Sequence, residues 1–397
     1  MAAGSPPPSG AVLAWGVVEG AYFDHAATTP LRPQATEAMA AVDAGVFGNP
    51  SGAHRWARDA RRLLDDARDV VADFVGAAPS EVVFTSGGTE ADNLAVTGVT
   101  AATARRPVCS GVEHHAVLRP VEAAGGEAVA VSPEGTVDLD ALAEALRRTP
   151  TGLVSVMLAN NETGAVNDLA AVAAVVGSVS PDSVLHTDAV AAAAWLDLVP
   201  CCAPAAMVTL SAHKLGGPKG VGALIVRRGT PLRAMLLGGG QEHERRAGTP
   251  SVAAAVGFAA ALRATLAERA ATITRVEAMR GRIVDGLRSS VDGVVVVSPD
   301  ETHRRTAGTI LLCIPEVDRE SLVLLADRAG IGVSWGSSCS SGAVEPSHVL
   351  AAQGVAPGLA AGALRISLGW CTTDEDVEVL LDRLPRIVAD LRTGGRR

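Results

Sequence analysis

The sequence predicts an α/β protein: a mostly parallel, doubly wound sheet with helices on both faces, followed by a smaller C-terminal unit. Three observations carry this expectation. Segments of strand length alternate with helical segments from about residue 81 to residue 226, as successive βα units require. A chain of 397 residues, 48% hydrophobic and 19% charged, can bury a large core spread over two or three domains. Aromatics make up only 3%, so that core must be built mainly from Ala, Val and Leu.

The elements follow in order. Residues 1–20 hold three consecutive prolines and no basic leader region, which reads as a flexible lead-in and not a secretory signal. Tyr22–His25 is a short strand that breaks into the polar turn Ala26–Pro30, and Phe47-Gly48-Asn49-Pro50-Ser51 is a second turn. Leu63, Leu64, Ala67, Val70, Val71 and Phe74 recur at helical spacing within His54–Phe74. Glu81–Phe84 is then a strand, joined by Thr85–Glu90 to a helix over Ala91–Val99. Further strands are expected at Pro107–Ser110, Ala128–Val131, Leu153–Ala159, Val184–His186, Val208–Leu210 and Gly222–Val226. Helices fall between them, among them Asp138–Arg148 and Asp168–Gly177. Beyond Gly248-Thr249-Pro250 a long helical stretch runs to about Ser290. Strands near Val294–Val297, Thr309–Cys313 and Gly332–Ser334 and helices at Asp318–Ala329 and Thr373–Leu391 complete the smaller unit. The expected domains are 21–265 and 266–397.

Composition excludes several classes. A net charge of −9 argues against nucleic acid or an anionic membrane surface as the partner. No uncharged apolar run approaches the roughly 18–20 residues that span a bilayer. Six cysteines without a C-x-x-C pair describe a reduced, cytoplasmic chain without a disulfide framework. The adjacent Cys201-Cys202 reads as a pair of buried small hydrophobes.

Lysine occurs at only two positions, Lys214 and Lys219, both within Ser211-Ala212-His213-Lys214-Leu215-Gly216-Gly217-Pro218-Lys219-Gly220. Arginine carries the rest of the positive charge and does not lose its proton, so a side-chain amine able to attack a carbonyl exists nowhere else. Lys214 follows a buried strand and is a candidate Schiff-base lysine; a solvated lysine in a Gly-Pro turn is the alternative. Thr85-Ser86-Gly87-Gly88-Thr89 joins a strand to a helix, where free N–H groups and the helix dipole suit a phosphate, although a plain Gly-rich turn would look the same. Asp188 ends the strand His186-Thr187-Asp188, where a buried carboxylate needs a cationic partner; N-capping the following Ala-rich helix is the other reading. Glu113-His114-His115 ends another strand and suits one His over a planar ligand better than a metal, since no ligand cluster accompanies it. Together these four groups supply what pyridoxal phosphate needs: a phosphate cradle, a ring-nitrogen partner, a stacking ring and an amine for the aldehyde.

Cys339 lies within Val333-Ser334-Trp335-Gly336-Ser337-Ser338-Cys339-Ser340-Ser341-Gly342, seven of whose ten residues are Gly or Ser, with little apolar anchoring. An exposed, mobile thiol is expected there, in contrast to Cys313 in its apolar run. Glu345-Pro346-Ser347-His348 closes this loop. Arg365, in the strand Leu364–Leu368, offers an always-charged fork for a carboxylate.

With these residues in view, the chain resembles the NifS/IscS-like cysteine desulfurases of the class V aminotransferase family, from about Tyr22 to Val377. The resemblance rests on Phe23-Asp24-His25-Ala26-Ala27-Thr28-Thr29-Pro30, Phe47–Ser51, Thr85-Ser86-Gly87-Gly88-Thr89-Glu90-Ala91-Asp92-Asn93 and Asn160-Asn161-Glu162-Thr163-Gly164. Ser211–Lys214, Gly238-Gly239-Gly240-Gln241-Glu242, Arg246-Ala247-Gly248-Thr249, Ser337–Ser341 and Leu364–Gly369 complete it. It implies a fold-type I pyridoxal 5'-phosphate-dependent transferase, with a seven-stranded, mostly parallel sheet and a smaller α+β C-terminal domain. It implies Lys214 on the cofactor aldehyde, Asp188 on the ring nitrogen, His114 stacked on the ring and Asn160 beside the cofactor or substrate carboxylate. Gly88, Thr89, Ser211 and His213 would hold the phosphate, and Thr249 would reach across from the second subunit of a homodimer. Arg365 would bind the cysteine carboxylate. Lys214, once displaced by the substrate amine, would take the Cα proton, with His114 a candidate acid/base. Cys339 would attack the substrate sulfur, yielding alanine and a persulfide for acceptor proteins. No metal is implied.

Two positions depart from the family pattern. Ala191 stands where the family has a glutamine near the cofactor's phenolate oxygen, and His243 where it has an arginine. A selenocysteine lyase, another cysteine C–S lyase, or a weakly active sulfur-carrier scaffold are the alternative readings. The destination of the sulfur, whether iron–sulfur clusters, tRNA, DNA or a natural product, belongs to the acceptor.

Overall fold

A computed structural model describes residues 20–336 and 347–394. The expected lead-in (all but Gly20) and Cys339 with most of its loop lie outside the described residues. The strands are β1 (Ala21–Tyr22), β2 (Val82–Thr85), β3 (Arg106–Ser110), β4 (Glu127–Val129), β5 (Thr151–Ser155), β6 (Val184–Asp188), β7 (Met207–Ser211), β8 (Gly222–Val226), β9 (Val295–Val296), β10 (Thr309–Cys313), β11 (Ile331–Gly332) and β12 (Ala363–Ser367). Seven of them form one sheet in the order β2-β8-β7-β6-β5-β3-β4. Pairing is parallel from β4 through β7, and β8 runs antiparallel to both its neighbours.

The central strands β5 to β8 are buried at every residue, so none shows the apolar-polar alternation of a half-exposed strand, as in any sheet covered on both faces. The two faces separate residue by residue. Phe84, Val154, Leu185, Val208 and Ile225 enter one core, with Leu64, Leu142, Leu169 and Phe258 of the helices covering that side. Their chain neighbours Val83, Leu153, Val184, Met207 and Leu224 enter the opposite core, beneath Leu94 and Val117. The period of two along a strand produces this split.

The C-terminal unit has a three-stranded sheet in the order β12-β10-β9, antiparallel throughout. Its core joins Leu312 and Leu364 to Val276 and Ile283 of the helix Val252–Ser290 and to Leu380 and Leu384 of the helix Asp374–Gly394. β1 pairs parallel with β11, and Phe23, fully buried, belongs to this second core. The helix Val252–Ser290 is continuous across residue 265; Leu262 is its last residue in the first core and Val276 its first in the second. We place the domain boundary within that interval. No described helix is long and apolar enough to cross a membrane.

Two of the helices of nine residues or more had no clear signal in the sequence. Pro33–Asp43 buries only Ala35 and Val42, and His115–Ala123 carries Pro120 in its interior. The expected strand Leu153–Ala159 leaves the ladder after Ser155. Val156 and Leu158 still donate their N–H groups to His186 and Asp188 carbonyls, at 3.1 and 2.9 Å. A uniformly apolar run carries no period to mark where a strand stops.

Candidate active site

A cavity of about 210 Å³ opens at the carboxyl ends of the parallel strands, the position that doubly wound sheets reserve for ligands. One end is a phosphate-sized cradle. The helix Gly88–Thr103 begins there, with Gly87 at φ 155° as its N-cap, and its first residues Gly88 and Thr89 line the cavity. Ser211 ends β7 with a buried hydroxyl that has no hydrogen-bond partner among the described residues. A Cβ on Gly88 would stand 3.0 Å from Val190 and 3.6 Å from Ser211, inside the cradle. Thr89 and His213 complete the lining. Hydroxyls, a helix N-terminus and an imidazole form a donor set that fits a phosphate.

Asp188 ends β6 at the cavity floor, 5% exposed. It accepts a hydrogen bond from the Val190 N–H at 2.8 Å. Burial raises its carboxyl to about 6, against the pull of that N–H and of the Lys214 charge. Such a group gains from a cation placed against it, which a protonated pyridine nitrogen provides.

Lys214 closes a short turn (Ala212–Lys214) directly after β7. Its Nζ lines the cavity and donates to the carbonyl oxygens of Ala26 and Ala27, the latter at 2.7 Å. His114 N-caps the helix His115–Ala123, its Nδ1 accepting from the Ala116 N–H at 3.1 Å. Burial, then the nearby Lys214, lowers its imidazole to about 4. His213 is lowered to about 4 by the same two causes. Both rings are therefore neutral at physiological pH.

Arg365, 1% exposed, points from β12 into the cavity. It donates to Asp24 at 2.7 Å and to the Asn161 carbonyl at 3.1 Å. The sequence singled out Arg365 but not Asp24, which lies 341 residues away and meets it only because β1 docks on the C-terminal unit.

Six of the expected residues, Gly88, Thr89, His114, Asp188, Ser211 and His213, line one cavity with Lys214 and Arg365. Asn160 is placed differently: its side chain caps its own turn, accepting from the Glu162 and Thr163 N–H groups at 2.9 Å and donating to Val112 O at 3.0 Å. Asn161 lines the cavity instead. Thr249 is exposed and does not line this chain's own cavity. Ala191 lines it, and also lines an adjoining space beside Trp195 and Trp370. Asp92, within the Thr85–Asn93 motif, and Met157 are cavity residues that sequence reasoning missed.

The Gly-Gly-Gly-Gln-Glu motif has a structural explanation. Glu242 accepts two hydrogen bonds from Arg68, at 2.7 and 2.8 Å, and one from the Phe84 N–H at 2.8 Å. This buried pair holds Glu242, His243 and Glu244 in the left-handed region, at φ 48°, 57° and 63°, where non-glycine residues are strained. His243 itself is exposed.

Of the six cysteines, five are described, and all five are free thiols. Burial raises each: Cys313 to about 11, Cys202 to about 12, Cys109 well above its ordinary value, and Cys201 and Cys371 upward as well.

The sequence model described as "Aminotransferase class-V" matches residues 21–380. An IscS-like cysteine desulfurase of Mycobacterium tuberculosis is 41% identical over 385 residues, covering 94% of this chain and 97% of that protein. A cysteine desulfurase IscS of Dictyoglomus turgidum is 39% identical over 380 residues, covering 94% and 95%. Among solved structures, a NifS-like protein superposes with a TM-score of 0.86 at 31% identity, covering 93% of this chain and 99% of that one.

Proposed function

The chain belongs to the aminotransferase class-V family and is a pyridoxal-phosphate-dependent cysteine desulfurase of the IscS/NifS type; on that footing we propose how its own residues divide the work. The observation that carries the assignment is one cavity in which Lys214 faces Asp188, His114 and the Gly88–Ser211 cradle. When bound, the cofactor supplies an electron-withdrawing cationic ring that weakens the substrate's Cα–H bond.

Lys214 would hold the cofactor by its aldehyde, and its free Nζ would be the base that takes the substrate's Cα proton. Asp188 keeps a proton on the ring nitrogen. Gly88, Thr89, Ser211 and His213 hold the phosphate. His114, neutral, would stack on the cofactor ring and keep water off it. Arg365 grips the substrate carboxylate with its fork, Asp24 orients that fork, and Asn161, rather than Asn160, stands beside it. The Cys339 thiolate attacks the substrate sulfur: an S–S bond forms, the Cβ–S bond breaks, and its electron pair stays with carbon, which becomes the alanine methyl. L-Cysteine and the Cys339 thiol thus give L-alanine and a Cys339 persulfide.

We further propose a homodimer. Thr249 is exposed and stands apart from its own cavity, and Phe47 and Leu237, 80% and 85% exposed, are the large apolar side chains such an interface would cover. The persulfide passes to an acceptor protein in a reducing, cytoplasmic compartment.

Incubation of the purified protein with L-cysteine is expected to give alanine and protein persulfide in equal amounts. Pyruvate in place of alanine would instead establish a C–S lyase. Arg365→Lys removes a planar fork while keeping the charge. It is expected to raise KM for cysteine roughly 10- to 100-fold, a loss of about 1.5–3 kcal/mol, with kcat changing less. A fall in kcat at unchanged KM would refute the carboxylate assignment.

A further inference from the structure

Asp92 lies in the helix Gly88–Thr103, one turn beyond the phosphate cradle, and is 1% exposed. It lines the same cavity as Asp188, and the two carboxyl groups lie within hydrogen-bonding reach of each other. Two buried carboxyl groups in hydrogen-bond contact cannot both be ionised. One of them carries a proton.

The surroundings decide which one. Asp188 accepts from the Val190 N–H at 2.8 Å and feels the Lys214 charge. Asp92 has neither. From β7 the Thr209 hydroxyl faces Asp92, and from the loop after β3 the buried Glu113 adds a third carboxyl group, itself raised to about 8 by burial. From β6 comes His186, whose Nε2 stands 3.7 Å from Asp92 Oδ1. His186 is no counter-charge. Its ring is fully buried between the Ser155 and Thr209 hydroxyls at 2.8 and 3.0 Å, and burial lowers it to about 3. Among the described residues, Asp92 Oδ1 has no hydrogen-bond partner.

We propose that Asp92 is a neutral carboxylic acid at physiological pH that donates its proton in a hydrogen bond to the Asp188 carboxylate. It is a positioning residue acting through Asp188. A donor on a carboxylate stabilises the charged form, so Asp92 keeps Asp188 ionised in its buried site and leaves the shared proton on the cofactor's ring nitrogen. The inference deepens the assignment of Asp188 as ring-nitrogen partner and rests on it.

The test is infrared difference spectroscopy of the full-length protein, with cofactor bound and after its removal. At neutral pH a C=O band of a protonated carboxylic acid is expected that disappears in Asp92→Asn and persists in Glu113→Gln. In the stripped protein, the pH midpoint at which Asp188 ionises should rise by about one pH unit in Asp92→Leu, which has no donor, and return towards wild type in Asp92→Asn, whose amide donates. A spectrum unchanged by Asp92→Asn, or an Asp188 midpoint indifferent to both variants, overturns the proposal. Neither readout depends on cysteine turnover, so this inference and the desulfurase assignment can fail separately. The Asn variant keeps the volume of Asp92 and gives an answer even if the Leu variant does not fold.

Discussion

Cys339→Ala is expected to lose formation of both alanine and persulfide by at least about 10³-fold, equivalent to about 4 kcal/mol of barrier. The physical case rests on reactivity. A thiolate, not a thiol, attacks sulfur, and burial raises all five described cysteines away from that form. Cys109, Cys202 and Cys313 are also buried, and no described cysteine lines the cavity. That leaves the cysteine in the Gly/Ser-rich segment. Quantifying alanine and persulfide from wild type and variant side by side decides the matter. A variant that makes alanine at the wild-type rate would exclude sulfur transfer through Cys339.

Lys214→Ala is expected to remove turnover by about 10⁴-fold or more, since it deletes both the covalent anchor and the base, and a positioned base alone contributes roughly 10²–10⁴-fold. This protein offers an unusually clean control, because the only other lysine is Lys219, five residues away and exposed. Lys219→Arg should keep both the absorbance of bound cofactor and full activity. Borohydride reduction should fix the cofactor to a peptide containing Lys214 in wild type and in Lys219→Arg, and fix none in Lys214→Ala. Covalent labelling that survives in Lys214→Ala would place the aldehyde elsewhere and undo the assignment.

Much of this site is legible in the sequence, for reasons of local chemistry. Lys214, Asp188, Ser211 and His114 each sit within a few residues of a strand end, and in a doubly wound sheet all parallel strand ends meet on one edge. Once βα alternation is recognised, residues spaced tens of positions apart are assigned to one cavity without knowing any contact. The Gly87-Gly88 turn is equally local: the absence of a Cβ is a property of the residue, and so is the helix that follows.

What the sequence could not supply are relations set by packing alone. Asn160 and Asn161 are adjacent and identical in type, and only the turn around Glu162 and Thr163 decides that one caps backbone while the other reaches the cavity. Glu242 looked like part of a loop motif until Arg68 and Phe84 were brought to it by the helix and strand packed beneath. Asp24 meets Arg365, and Asp92 meets Asp188, across separations that no periodicity encodes. By itself the sequence determined the fold class and the strand-end chemistry, because patterning and turn residues act over a few positions. The tertiary structure alone decided the partners and ionisation of those groups, because charge and desolvation depend on which surfaces close around a side chain.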